Sequence, residues 1–134
     1  MGVVEDPEDA VLHLPSEVAS VAEARAFVAD AVRRWGIDPP EALPLLTSEV
    51  VTNAVVHTDG QWVVIRVCRA GDLARVEVRD RAPDPPQVRE LDPRAPGGFG
   101  MWLVEQLARA WGVSAIAEDG KVVWFELDLS PSPA

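Results

Sequence analysis

Cysteine is nearly missing from this chain of 134 residues. The single Cys68 excludes an internal disulfide and any metal site built from several thiolates. Lysine is as scarce: Lys121 stands alone, and every other basic residue is an arginine. No apolar run approaches the roughly 20 residues that a membrane span requires. The opening Met1-Gly2-Val3-Val4-Glu5-Asp6 lacks the basic start of a signal peptide and the hydroxyl that myristoylation prefers. These absences lead to the expectation of a cytoplasmic protein.

Positive charge is also in deficit. Twelve basic residues face 22 acidic ones, a net −10, and residues 1–50 hold ten acids against three arginines. Such a surface repels phosphate backbones and anionic lipid, so neither direct nucleic-acid binding nor membrane binding is expected. It suits a basic protein partner, and a merely solvated surface explains the charge about as well.

What is present reads as one domain. Hydrophobic residues make up 48% and charged ones 25%, an ordinary globular balance. The expected organisation is a flexible segment over 1–10, a domain over 11–129 and a Ser-Pro tail over 130–134. Val11 to Leu14 reads as a short edge strand. Ser20 and Glu23 have capping-box spacing, and Val21, Ala24, Val28, Val32 and Trp35 follow at helical intervals up to Gly36. Asp38-Pro39-Pro40-Glu41 opens a second helix, with Pro44 in its first turn and an apolar stripe of Leu46, Val50 and Ala54 running to about His57.

Two hairpins follow. One joins Gln61–Arg69 to Leu73–Asp80 through Ala70-Gly71-Asp72; the other joins Gly112–Glu118 to Lys121–Leu129 through Asp119-Gly120. Between them, residues 81–97 carry five of the twelve prolines and lead into Gly97-Gly98-Phe99-Gly100. A helix then carries Met101, Val104, Leu107, Ala108 and Trp111 on one side. Helices set apart from antiparallel strands predict an α+β two-layer sandwich, with the helices on one face of a mixed, mainly antiparallel sheet.

Three segments have chemical potential. Glu49, Asn53 and His57 share one face of the second helix at i, i+4 and i+8. A carboxylate and an amide oxygen one turn apart can organise a hydrated Mg²⁺, or the carboxylate can take a proton from a hydroxyl. A polar helix face is the plainer reading of these residues alone. Asp80 ends the apolar face of its strand, after Ala74, Val76 and Val78, instead of joining Arg75, Glu77 and Arg79. A carboxylate sunk there needs donors, and an adenine amino group is one; a turn cap serves as well. Gly97-Gly98-Phe99-Gly100 at a helix start can bring N–H groups to an anion, although it is no P-loop and follows no strand directly. A flexible joint is the alternative.

The three boxes in this order, Glu49-Val50-Val51-Thr52-Asn53-Ala54, Val76-Glu77-Val78-Arg79-Asp80 and Gly97-Gly98-Phe99-Gly100-Met101, resemble the Bergerat-fold (GHKL) ATP-binding domains. Among these the chain is most similar to the small histidine-kinase-like ATPases of anti-sigma-factor serine kinases, over about residues 12–129. The resemblance implies ATP and Mg²⁺ as cofactors. It assigns Asn53 to the Mg²⁺, Glu49 as general base toward a partner's serine hydroxyl or water, and Asp80 to the adenine amino group. Ala82, Gly98, Phe99, Gly100 and Met101 join Asn53 and Asp80 in the nucleotide site, with residues 83–97 as the lid and His57 without a role.

It further implies control of transcription by partner switching with a sigma factor or an anti-sigma antagonist, and small regulators of this kind often form homodimers. Phosphorylation of an antagonist's serine would be the chemical step. A catalytically inactive or nucleotide-free module of the same fold is the alternative, and a small ATP hydrolase ranks last. The 134 residues contain no phosphoacceptor-histidine dimerisation domain, so a complete sensor kinase is not expected. Ala82 stands where relatives carry glycine or serine, Phe99 where they often carry arginine, and Lys121-Val122 supplies no hydroxyl after Gly120. These departures favour the inert module, whereas Glu49 and Asn53 favour activity. Trp35, Trp102, Trp111 and Trp124 read as packing between helices and sheet. Cys68 reads as inert, and Arg66, Arg69, Arg75 and Arg79 as a solvated face.

Overall fold

Period-two alternation over 62–70 and 73–80 turns Val63, Ile65, Val67, Ala74, Val76 and Val78 to one side, where all six are buried. The computed structural model describes residues 9–57, 62–80, 100–115 and 120–129. Within them the order is β1 (Ala10–Pro15), α1 (Ala19–Arg34), α2 (Ala42–His57), β2 (Trp62–Ala70), β3 (Leu73–Asp80), α3 (Gly100–Leu107), β4 (Ala110–Ala115) and β5 (Lys121–Asp128). The strands form one sheet in the order β1-β2-β3-β5-β4, antiparallel at every pairing where a mixed sheet was allowed for. All three helices pack on its apolar face, α2 between α1 and α3, in the α+β arrangement expected.

Flanked on both sides, α2 buries more than a stripe: Leu43, Leu46, Thr47, Val50, Val51 and Ala54 are all inside. The Thr47 hydroxyl is satisfied by donating to the Leu43 carbonyl (2.8 Å). α2 starts just beyond Glu41, with Pro44 in its first turn, where a missing N–H costs little. Gly36 closes α1 with φ 81°, its N–H on the Arg33 carbonyl while Ile37 N–H reaches back to Val32, a Schellman stop. Gly71 (φ 61°) makes the tight turn between Ala70 and Leu73.

Three local expectations need correction. Ser20 is not a cap: α1 begins one residue earlier, Val18 occupies the capping position, and the buried Ser20 hydroxyl donates to the Pro15 carbonyl (2.7 Å). Trp111 belongs to β4, not to the helix, which ends at Leu107; Ala108 and Arg109 turn the chain into the strand. Trp35 and Trp111 do pack against the core. Trp124, however, lies on the outward face of the sheet, with the Arg75 guanidinium 4.1 Å above its ring. Beneath it is Gly112, where an added Cβ would meet the Trp124 ring at 2.7 Å.

Candidate functional site

Connectivity gathers the expected site at one end of the molecule. The C-terminal end of α2 is linked by residues 58–61 to the start of β2, and Val64 near that start pairs with Arg79 near the end of β3. Asn53, one turn before the end of α2, and Asp80, the last residue of β3, therefore lie toward the same pole. β4 begins opposite Glu126 and ends opposite Lys121. Because the chain reverses between α3 and β4, the first turn of α3 points toward that pole too. α3 has eight residues, so it reaches only about 12 Å.

Asp80 is fully buried (0% exposed), on the inward face together with Val76 and Val78. Its cross-strand partner in β5 is Lys121, 3% exposed, whose Nζ donates to Asp80 Oδ1 at 3.0 Å. Sequence reasoning read Lys121 only as a lost hydroxyl. The signal that would have found it is the alternation of β5: Lys121 shares the inward face with Val123, Phe125 and Leu127, as Asp80 shares that of β3. Two charges buried in contact neutralise each other, and breaking such a pair is costly.

On α2, Glu49 and Asn53 are both partly buried and one turn apart. Burial pushes the Glu49 carboxyl above its ordinary value, which makes its ionised form a better proton acceptor. His57 is the last residue of α2; its side chain is outside the described residues. Met101 is buried in the hydrophobic core (3% exposed), so what it can offer a ligand is its backbone N–H in the first turn of α3, next to Gly100. Ala82, Gly98 and Phe99, with the expected lid over 83–97, lie outside the described residues.

The residues present fit a nucleotide with a divalent ion. A sunken carboxylate offers acceptors for a base amino group, the start of a helix offers N–H groups to phosphate, and Asn53 and Glu49 offer the oxygen atoms that Mg²⁺ prefers. Among the described residues no group of three or more His, Cys, Asp or Glu is gathered to hold a metal. An ion on Asn53 would take its other ligands from phosphate and water, as Mg²⁺ commonly does.

Other candidates recede. Burial pushes the Cys68 thiol up to about 11, so it is no nucleophile near neutral pH. Arg66 pairs with Asp9 and Glu77, and Arg75 with Glu77 and Glu126, so half of the expected solvated arginine face is an ion-pair network. Arg69 stands over the Trp35 ring at 5.8 Å. No helix among the described residues is long and apolar enough to cross a membrane.

Comparison with known proteins agrees with the fold. The histidine kinase-like ATPase domain profile matches residues 14–127, and the chain belongs to that family. Among solved structures, the histidine kinase domain of the blue-light activated histidine kinase of Erythrobacter litoralis EL346 matches with a TM-score of 0.50 and 22% identity. The match covers 86% of this chain and 61% of that one, so the chain spans less than two thirds of the kinase domain it resembles. At that identity the likeness shows the fold. No curated protein matches.

Proposed function

We propose that the chain is an ATP- and Mg²⁺-binding regulatory protein of the anti-sigma-factor type, acting on protein partners by switching between them. The observation that supports it most is Asp80, a carboxylate buried at the pole toward which Asn53 and the start of α3 also lie. Asp80 would accept from the adenine amino group, Asn53 would hold the metal, and the first turn of α3 would receive the phosphates. Bound Mg²⁺ would draw charge off the terminal phosphoryl group. Glu49, half-buried and a stronger base for it, would accept the proton of a serine hydroxyl on an antagonist protein. The strongly acidic composition, net −10, favours a basic face on the partner.

The second reading, a module that holds nucleotide without turnover, is favoured by Ala82 and by an Asp80 whose charge Lys121 already neutralises. Incubation with labelled ATP and a candidate antagonist, beside Glu49→Ala, separates the two. Label transferred to the antagonist and lost in the variant supports the kinase. Retained ATP without turnover in both proteins supports the module, and inorganic phosphate alone indicates hydrolysis.

A further inference from the structure

The outward face of the sheet, away from the helices, divides into two halves of different chemistry. The register sets its side chains in rows across the strands, and in the half away from the site pole each guanidinium has acids beside it. Arg66 meets Asp9 and Glu77, and Arg75 meets Glu77 and Glu126. Toward the site pole the charges give way. A row of His13, Val64, Arg79 and Val122 crosses four strands, with the cross-strand pair Pro15 and Trp62 beside it. Arg79 is exposed and makes no ion pair with any described residue. The acid two positions back on its own face, Glu77, is already shared by Arg66 and Arg75. Trp62 leaves 36% of its surface in water. Single exposed apolar side chains are ordinary, but here they are contiguous and surround one unpaired guanidinium.

We propose that this half of the outward face is a docking surface for a protein partner, which brings an apolar cluster with one carboxylate to meet Arg79. Tryptophan and arginine are the side chains that most often anchor protein contacts. Trp62 and Arg79 lie one strand and two residues apart, about 8 Å, which neighbouring side chains of one partner element can span. Other occupants fit worse. The net charge of −10 repels nucleic acid and anionic lipid. A second copy docked here about a two-fold axis would bring Arg79 toward its own image, with no acid in the row to separate them. The acidity of the whole chain acts on the partner's overall charge at long range. Arg79 acts at contact, where it selects a carboxylate.

The inference rests on the reading that the chain works through protein partners, and it needs no bound nucleotide. A phage-displayed library of random peptides, selected on the full chain, supplies the probe. Selected peptides should carry Asp or Glu flanked by apolar residues. Their affinity should fall about tenfold or more in Trp62→Ala and in Arg79→Gln. Selection on Arg79→Glu should replace the acid by Lys or Arg. Because both side chains are exposed, the variants should keep the wild-type melting transition.

Peptides without acid enrichment, or with affinities that neither variant moves, overturn the proposal. So does a selection on Arg79→Glu that returns the same acidic peptides. A dimer in sedimentation that dissociates in Trp62→Ala gives the face to a second copy and overturns it as well. Calorimetry with ATP on the same protein keeps the two readings apart. ATP bound with no such peptides sinks this inference alone, and such peptides with no ATP bound sink the nucleotide reading alone.

Discussion

β3 and β5 carry two cross-strand ion pairs, and the sheet treats them differently. Asp80 and Lys121 face the helices at the site pole, both almost completely buried. Arg75 and Glu126 face outward near the opposite end, half-buried, with Arg75 shared among Glu77, Glu126 and the Trp124 ring. The same two strands and the same charge types thus produce one pair in a low-dielectric interior and one network in contact with solvent. The outward network stabilises a sheet surface through many weak, screened contacts. The inward pair contributes little net stability over an apolar pair of similar volume, although removing one partner alone is costly.

The largest test of this contrast is Asp80→Ala. Removing the carboxylate that neutralises Lys121 should destabilise the protein by about 3–5 kcal/mol in denaturant unfolding. Adding Lys121→Met should recover a large part of that loss; a double variant no more stable than the single one would break the contrast. Next in size is Gly112→Ala on the outward face. The new Cβ would meet the Trp124 ring at 2.7 Å, so the ring must lift away from β4 at roughly 1–2 kcal/mol, seen as a lower midpoint and altered tryptophan fluorescence.

A double-mutant cycle between Arg75 and Glu126 should give a coupling under about 1 kcal/mol that shrinks as salt is raised. A salt-independent coupling as large as that of the inner pair would erase the distinction.

The smallest effect belongs to Glu49, a partly buried carboxyl on α2. Its folded-state value is raised by burial, so the folded protein binds more protons than the unfolded chain between the ordinary and the raised value. Stability is therefore lost as pH rises through that window and stays lowered above it. Glu49→Gln should raise the melting temperature at neutral pH by about one degree, and leave it unchanged below the ordinary glutamate range.

Much of this was legible from sequence because the deciding forces are local. Gly36, the Gly71 turn and the stripe of α2 each announce themselves within a few residues, and Asp80 stood out for ending an apolar face. Where reading failed, one spacing served two structures. Ser20 and Glu23 fit a cap, yet the hydroxyl found the Pro15 carbonyl five residues back. Trp111 follows Leu107 at a helical interval and also fits an inward position of β4, which tertiary packing chose. Lys121 was missed for a different reason. The alternation of β5 places it on the inward face, but its contact with Asp80 spans 41 positions and depends on the β3–β5 register, which no local pattern encodes.

The outer surface has a chemical character of its own. With the only lysine 3% exposed, the described surface displays guanidinium groups and no accessible side-chain amine. Acylating reagents, amine-coupled cross-linkers and lysine-modifying enzymes would find no side-chain target on the folded protein. Reactivity of Lys121 toward such a reagent would thus report that β3 and β5 have parted.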